Sequence, residues 1–218
     1  EDLQADTVDI EKTGFSTSVY FGAANDYYHR VGYDLAKNSI TQKSSEATSL
    51  TGEENKSLTS SSVRYTLGRR TLDNRYDPTE GSLFEITEEY SGLGGDVNFL
   101  KTRLRSAYYK PFAFRKYVLG VRGELGYVDG LGDKISQSAR FNLGGRRLRG
   151  FDGGGVGPRD IGSGSAVGGN KIYSGSVEIL SSLGLSDDLG MRWTVFSDFG
   201  SVWDTDYPDG VTKPNDNS

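Results

Sequence analysis

Residues 117–127 read YVLGVRGELGY, and the alternation in this stretch decides the fold class. One phase is apolar and the other is glycine or charged: Tyr117, Leu119, Val121, Leu125 and Tyr127 against Gly120, Arg122, Glu124 and Gly126. Side chains of a β-strand point alternately to its two faces, so this period predicts a strand with one apolar face and one wet face. The charged phase must face water or opposite charges, because burying an unpaired charge is costly.

The same period recurs along the chain and predicts about eight strands of roughly 10–13 residues each. Strands of soluble sheets usually have about 5–6 residues, whereas a tilted membrane-spanning strand needs roughly 9–11. The apolar phase often begins or ends in an aromatic residue, as in the girdles at membrane interfaces: Tyr27, Tyr90, Tyr108, Tyr117, Tyr127, Tyr173 and Trp203. These observations predict an all-β fold, a transmembrane antiparallel β-barrel. The alternative is a soluble sandwich or lipocalin-like barrel, whose interior would be the apolar phase.

The composition excludes several classes of protein. The 218 residues include 30 Gly, one His and no Cys, and 34% of them are hydrophobic. No run of about 20 apolar residues could form a membrane-spanning helix. Disulfides and cysteine-based metal sites are impossible without cysteine. The formal net charge of −5 disfavours nucleic acid as a partner, since phosphate binding needs a basic excess.

The predicted connections alternate between short and long, and this alternation suggests two different ends of a barrel. The short ones are Ala24–Asp26, Asp73–Gly81, Phe112–Lys116 and Ser182–Gly190. The others are Asn38–Ser60, Gly92–Asp96, Asp129–Asn170 and the tail from Asp204, and all of these but Gly92–Asp96 are long. Outer-membrane barrels join their strands by short periplasmic turns and longer external loops. The polar Asn38–Ser60 segment is predicted to be such a solvated external loop.

The Asp129–Asn170 segment is unusually long for a connection without its own secondary structure, and loops beyond about 12–15 residues are usually functional. Its residues 144–160 read GGRRLRGFDGGGVGPRD, which fits neither common glycine-rich phosphate-binding motif. An anion site at the arginine cluster is one interpretation. The other is a loop anchor, because the glycines around Arg149 and Phe151 permit a tight reversal that positions these side chains.

Three motifs resemble those of the BamA family of outer-membrane protein assembly factors. Leu148-Arg149-Gly150-Phe151, followed by Gly157-Pro158-Arg159-Asp160, is similar to the motif of that family's long barrel loop. Residues 71–82, which read TLDNRYDPTEGS, resemble the family's turn signature with Asp73, Arg75, Pro78 and Gly81. Residues 197–204, which read SDFGSVWD, resemble a strand that follows the motif loop. The resemblance runs in register over nearly the whole chain and is weakest before about Ser61.

The resemblance implies that the 129–170 loop folds into the barrel lumen, with Arg149, Gly150 and Phe151 as its motif. Arg149 is then expected to meet acidic side chains of the next two strands, which are Glu178 and Asp198 in this sequence. The alternation independently assigns both carboxylates to the polar, inward phase. Phe196 shares that phase and is expected to pack against the stem of Arg149 or against Phe151.

The resemblance also implies a role and a setting. Residues 1–218 would form about eight strands of a barrel with about sixteen, its central and later part, without the periplasmic substrate-binding domains. The expected function is the folding and insertion of β-barrel proteins into the outer membrane of a Gram-negative bacterium, without enzymatic activity, cofactor or metal. The expected partners are unfolded outer-membrane protein substrates, accessory assembly lipoproteins, membrane lipid and lipopolysaccharide. The alternatives are a two-partner-secretion-type transporter of the same superfamily, or a passive porin or ligand-binding barrel.

Overall fold

A computed structural model describes residues 8–42, 56–132, 134–159, 166–183 and 191–206. Eight antiparallel strands form a single sheet in chain order: β1 (Val8–Gly22), β2 (Tyr27–Gln42), β3 (Lys56–Arg70), β4 (Gly81–Gly95), β5 (Phe99–Phe112), β6 (Tyr117–Gly130), β7 (Lys171–Ser182) and β8 (Arg192–Trp203). In the described part of the chain, β1 and β8 do not pair with each other, so the sheet is an open wall. No helix among these residues is long and apolar enough to cross a membrane.

The expected number of strands is confirmed, but the strands are longer than predicted, with 12–16 residues each. The β2–β3 ladder continues past the alternating stretch, since Asn38 pairs with Leu58 and Ile40 with Lys56. Backbone hydrogen bonds form along such a ladder whatever the side chains are, so polar residues extend it. Both flanks of the predicted Asn38–Ser60 loop are therefore strand, and residues 43–55 lie outside the described residues.

The prediction of a connection at Gly92–Asp96 was wrong in its bounds. Strand β4 runs on to Gly95, which pairs with Ser60 beyond a bulge where residues 92–94 of β4 oppose Ser61 of β3, and only residues 96–98 connect β4 to β5. Such a bulge places an extra residue in one strand and is favoured by glycine at a positive φ. Gly95 has a φ of 103° and so meets this requirement.

The two faces of the wall differ as the alternation predicted. We call the face that carries the 131–170 loop the inner face and the opposite one the outer face. Large apolar side chains of the outer face are exposed, among them Phe15 at 62%, Leu125 at 55% and Val195 at 64%. A soluble barrel would bury this phase, so the alternative of an apolar interior does not fit the structure.

The inner face carries a ladder of cross-strand ion pairs. Arg64 on β3 lies 3.1 Å from Asp34 on β2 and 3.4 Å from Glu89 on β4. Arg105 on β5 contacts Glu85 on β4 at 2.7 Å. Opposite charges on neighbouring strands thus lie side by side, and such pairs stabilise a sheet.

The apolar core lies between the inner face and the long loop. It combines wall residues with loop residues: Val97, Phe99, Val128, Ile135, Ala139, Phe141, Leu143, Leu148, Ile172 and Val202. The wall alone has no such core, since its own apolar phase points outward. The loop is therefore the element that gives the inner face a dry region.

Candidate functional site

The long connection between β6 and β7 spans residues 131–170, and we call it the lumen loop. Its described residues form two single turns of 3-10 helix, Gln137–Ala139 and Gly145–Arg147, and isolated bridges that include Phe141 to Gly169. Most of its backbone is therefore irregular, and side chains that contact the wall determine its position.

Arg149 is the most heavily bonded of these side chains. Its Nε and Nη2 donate to the two carboxylate oxygens of Asp198 at 2.7 and 2.6 Å, and its backbone N–H donates to the same carboxylate at 3.0 Å. Its Nη1 donates to Glu178 Oε2 at 3.3 Å, and its Nη2 also donates to Ser176 Oγ at 2.8 Å. The guanidinium carbon lies 3.5 Å from the ring centroid of Phe196. We call Arg149 with these four wall residues the ionic anchor.

Strand register explains why four wall side chains converge on one guanidinium. Ser176 on β7 pairs with Asp198 on β8, and Glu178 pairs with Phe196 two residues further along. Two successive inward positions on each of two adjacent strands form a square of side chains under Arg149. The predicted partners Glu178, Asp198 and Phe196 are therefore brought together, whereas Ser176 was missed, although it shares their polar phase.

The Asp198 carboxylate is the most enclosed part of the ionic anchor. Its side chain is 4% exposed and that of Glu178 is 7% exposed, while Arg149 itself is 29% exposed. A carboxylate so far from water depends on its partner, and loss of a partner from a buried pair costs about 3–5 kcal/mol. The two-pronged geometry with Asp198 is one that lysine cannot reproduce, because only the planar guanidinium offers a matching fork.

Glu178 accepts hydrogen bonds from two arginines. Besides Arg149, it accepts a hydrogen bond from Arg122 Nη2 on β6 at 3.1 Å. Gly120 stands opposite Glu178 in the β6–β7 register, and a Cβ atom there would crowd the Glu178 side chain. Sequence reasoning missed Arg122 as a partner, although its place in the polar phase of residues 117–127 pointed to the inner face.

Phe151 takes a different place from the one expected. Its side chain is 52% exposed, so it does not lock the loop through apolar packing. Its backbone contributes instead, since the Phe151 carbonyl accepts from the Gly145 N–H at 2.8 Å. Gly150, with a φ of 92°, allows the reversal between Arg149 and Phe151. The buried apolar residue of this motif is Leu148, which joins the core.

A second contact region holds the beginning of the lumen loop, and we call it the apolar anchor: Phe141 and Leu143 with Gly126 and Gly200 of the wall. Phe141 and Leu143 are fully buried. A Cβ at Gly126 would collide with the Phe141 ring, and one at Gly200 would crowd Leu143. Lys101 on β5 closes the region, with its Nζ 4.3 Å from the centroid of the Phe141 ring. Sequence reasoning missed this region. The signals that could have indicated it are glycines at inward strand positions, Gly126 and Gly200, and two apolar residues, Phe141 and Leu143, within a polar loop.

Buried Arg140 ties the loop to itself and to the chain after β8. Its guanidinium donates to the carbonyl oxygens of Ile135 at 3.0 Å, Val167 at 3.4 Å and Asp206 at 2.8 Å. The Asp206 carboxylate in turn accepts from the Ile135 N–H at 3.5 Å. The lumen loop thus contacts the wall at both of its anchors and the segment after β8 at a third point.

The turn between β3 and β4 is organised by Asp73. Its carboxylate accepts from the hydroxyl of Thr79 at 2.6 Å and from the N–H groups of Thr79 and Glu80 at 2.9 and 3.1 Å. The Thr79 hydroxyl foremost, together with these N–H groups, lowers the pKa of the Asp73 carboxyl to about 2. Gly81 has a φ of 106°, and a Cβ there would collide with the Thr71 carbonyl. This end of the turn therefore requires glycine.

Of the other two residues of the predicted turn motif, Arg75 is exposed and Pro78 is half-buried. The turn also contacts a distant strand, because Arg192 at the start of β8 lies 2.5 Å from the carboxylate of Asp77. Among the described residues there is no cluster of three or more acidic or histidine side chains that could hold a metal ion. The contacts of the site are ion pairs, hydrogen bonds and apolar packing that join the loop, the wall and the turn.

Comparison with known proteins finds one matching family model and several similar proteins. An Omp85 superfamily domain matches residues 2–217. The chain is 27% identical over 198 residues to outer membrane protein assembly factor BamA of Neorickettsia risticii, and 27% over 203 residues to BamA of Nitratidesulfovibrio vulgaris. Each alignment covers 90% of this chain, and the chain spans about a quarter of those relatives, 27% and 25% of their lengths. BamA of Neisseria meningitidis serogroup B is 30% identical over 144 residues, which are 63% of this chain and 18% of that relative.

The fold has a counterpart among solved structures. The crystal structure of BamA from Haemophilus ducreyi lacking POTRA domains 1–3 matches with a TM-score of 0.75 and 21% identity, over 92% of this chain and 43% of that one. The predicted fold, an antiparallel sheet that forms part of a BamA-like barrel wall, is therefore confirmed. The matching family model and the relatives confirm the resemblance of the chain to the BamA family. The figure of about sixteen strands for the complete barrel stays a prediction.

Proposed function

Since this chain belongs to the Omp85 superfamily, we propose that it forms the central and later wall and the lumen loop of an outer-membrane protein assembly factor. Its task is to support the folding and insertion of β-barrel proteins, without enzymatic chemistry. The observation that carries the proposal is the anchoring of the motif loop to the inner wall, through Arg149 on Asp198 and Glu178. The three curated relatives named above, all outer membrane protein assembly factors, support the same role.

The geometry suggests how this part of the molecule contributes. The lumen loop contacts β5 through Lys101, β6 through Gly126, β7 through Glu178 and β8 through Asp198. A loop fixed to four consecutive strands keeps them in one register and one curvature. Assembly by strand addition uses the hydrogen-bonding edge of a sheet as a template. A stiff wall away from that edge keeps the template in place while the edge pairs with a substrate strand and then releases it.

The setting and the partners follow from the same proposal. The exposed aromatic and aliphatic residues of the outer face suit contact with lipid, which supports placement in the outer membrane. Unfolded outer-membrane proteins are the proposed substrates. Accessory assembly lipoproteins and lipopolysaccharide are proposed as further partners of the complete protein.

The test is the substitution Arg149→Glu in the purified protein reconstituted in liposomes. Reversing this charge sets a carboxylate against the enclosed Asp198 and frees the loop, so insertion of a β-barrel substrate should fall strongly. Arg146→Glu is the matched control, because Arg146 is an exposed arginine of the same loop. Wild-type insertion by the Arg149→Glu protein would contradict the proposed role of the anchor.

A further inference from the structure

A cavity of about 720 Å³ lies between the inner face of strands β1–β5 and the beginning of the lumen loop. On the loop side it is lined by the polar residues Gln137, Ser138 and Asn142. On the wall side its described lining contains one acidic residue, Glu89, and six basic ones: Lys12, Arg30, Arg64, Lys101, Arg103 and Arg105. The whole chain has a net charge of −5, so this lining is a local concentration of positive charge.

The floor of the cavity is a pair of threonine hydroxyls. Thr66 on β3 stands opposite Thr87 on β4, and their Oγ1 atoms are hydrogen-bonded at 3.0 Å. Since that bond uses one of the two hydroxyl hydrogens, the other is available to donate into the cavity. Arg30 on β2 and Arg103 on β5 continue the same cross-strand row on either side. Two cations therefore flank two hydroxyls in one row, about 14 Å apart between their Cα atoms.

The neighbouring rows of the inner face add three more cations. Arg64 and Lys101 lie in the row on one side of the threonine pair, and Arg105 lies in the row on the other side. Successive inward positions of a strand are about 7 Å apart, which long basic side chains can span. Cations therefore surround the hydroxyl pair on the side of β2 and β3 and on the side of β5.

Wall carboxylates neutralise these cations only in part. The Nε atom of Arg103, although 3.4 Å from Glu124, makes no hydrogen bond among the described residues. A carboxylate shared by two cations cannot neutralise both, so positive charge remains around the cavity. Two glutamates are shared in this way, at distances of 2.7–3.8 Å: Glu85 by Arg70 and Arg105, and Glu124 by Arg103 and Arg147.

Arg30 and Lys101 form no ion pair with a carboxylate in the described part of the chain. The Arg30 side chain is half-buried, and its guanidinium also forms no hydrogen bond there. Lys101 Nζ donates to the Ala139 carbonyl at 2.5 Å, and an ammonium group has two further hydrogens to donate. Because partly burying an unpaired charge is costly, these two cations favour a bound anion between them.

The chemistry of these donors indicates the class of the anion. Guanidinium forks, an ammonium and a hydroxyl are groups that bind phosphate oxygens, and the planar fork of arginine matches two oxygens at once. A phosphate monoester carries about −1.5 to −2 charges at neutral pH, more than a single carboxylate. Cations on both sides of the hydroxyl pair suit two linked phosphate groups. The sheet separates the cavity from the outer face, so a water-soluble ligand fits better than a bilayer lipid.

We propose that this cavity binds a water-soluble ligand that carries a diphosphate group. Arg30 and the threonine hydroxyls bind one phosphate, and Lys101 and Arg103 bind the other. Lys101 also contacts the lumen loop through Ala139, so the bound anion lies directly beneath the start of that loop. This inference goes beyond the proposed assembly function and does not depend on it.

The experiment is isothermal titration calorimetry with inorganic pyrophosphate, on the complete protein in phosphatidylcholine nanodiscs and phosphate-free buffer. The wild-type protein should bind one pyrophosphate, with an affinity that falls as salt rises. Arg30→Gln should weaken binding about tenfold or more, as expected for a lost hydrogen bond between two charged groups. Thr66→Val, which keeps the shape of the side chain, should weaken it by a smaller factor. Lys37→Gln is the matched control, because Lys37 lies on the outer face of the same strand as Arg30, and it should bind as the wild type does.

The absence of pyrophosphate binding by the wild type would overturn the site, as would an unchanged affinity in Arg30→Gln. Hexaglutamate is titrated in parallel, and tighter binding of this peptide than of pyrophosphate would overturn the diphosphate in favour of an acidic polypeptide segment. Arg30 loses no partner of the described chain on substitution, and heat-modifiable migration shows that each variant is folded. Because no substrate is present, loss of pyrophosphate binding is distinguishable from loss of assembly activity.

Discussion

The ionic anchor and the apolar anchor hold the same loop to the same wall by opposite physical means. Arg149 binds through charge and hydrogen bonds over β7 and β8, and it stays 29% exposed. Phe141 and Leu143 bind through burial against glycines of β6 and β8, with almost no exposed surface. The first anchor is specific in geometry, since it needs a guanidinium fork and a carboxylate. The second is specific in shape, since it needs empty space at two inward positions.

The largest effect on stability is expected from Arg149→Glu. This change removes the bonds to Asp198 and adds a like charge beside a carboxylate that is 4% exposed. The cost should reach about 4 kcal/mol, within the range for breaking a buried ion pair. Urea unfolding in lipid, followed by tryptophan fluorescence, measures it. A loss no larger than that of the exposed control Arg146→Glu would show that the ionic anchor is dispensable.

Phe141→Ala should have the second-largest effect on stability. Truncation of a fully buried phenylalanine leaves a cavity beneath the loop and costs about 3 kcal/mol. The loss should hardly change with salt, because screening acts on charges, whereas the loss in an Arg149→Ala variant should shrink as salt rises. Phe151→Ala is the control within the same loop, and its half-exposed ring predicts a much smaller loss. Equal losses at Phe141 and Phe151 would contradict the assignment of the apolar anchor.

Gly126→Val tests the shape requirement from the wall side. The added side chain would occupy the space of the Phe141 ring, and overpacking of this kind typically costs about 1–3 kcal/mol. In the double variant Gly126→Val with Phe141→Ala, the two changes should compensate each other in part, giving a loss below the sum of the single losses. Strict additivity would mean that the two residues do not share one space.

The smallest effect concerns the β3–β4 turn, which lies apart from both anchors. The pKa of Asp73 falls from 3.8 to about 2 in the folded protein. A lowered pKa in the folded state means that the ionised carboxylate stabilises the turn above about pH 4, and that this contribution is lost as the pH falls from about 4 to 2. Asp73→Asn should remove this acid dependence from the unfolding free energy. An unchanged acid profile in Asp73→Asn would show that other carboxylates produce it.

The two anchors also differ in how far the sequence predicts them. The pairing of Arg149 with Glu178 and Asp198 was expected because the family resemblance implies that the motif arginine meets acidic residues of the next two strands. The strand period independently placed both carboxylates on the inner face. Ser176 lay in the same phase but carries no charge, so nothing in the pattern marked it as a partner. Phe151 was expected to anchor the loop together with Arg149 as part of the motif, yet its ring is exposed after the reversal at Gly150, and Leu148 is the buried residue.

The sequence by itself determined the number of strands, which residues of each strand share a face, and the inward position of the charged residues in the polar phase. It did so because side-chain direction in a strand follows a period of two and needs no knowledge of the neighbours. Only the tertiary structure decided where the lumen loop lies and which glycines receive Phe141 and Leu143. It alone showed that Ser176 belongs to the ionic anchor and that Arg122 shares Glu178 with Arg149. An irregular loop has no period that relates the position of a residue in the sequence to the direction of its side chain. Its contacts depend on strand register and on the distances across an assembled wall.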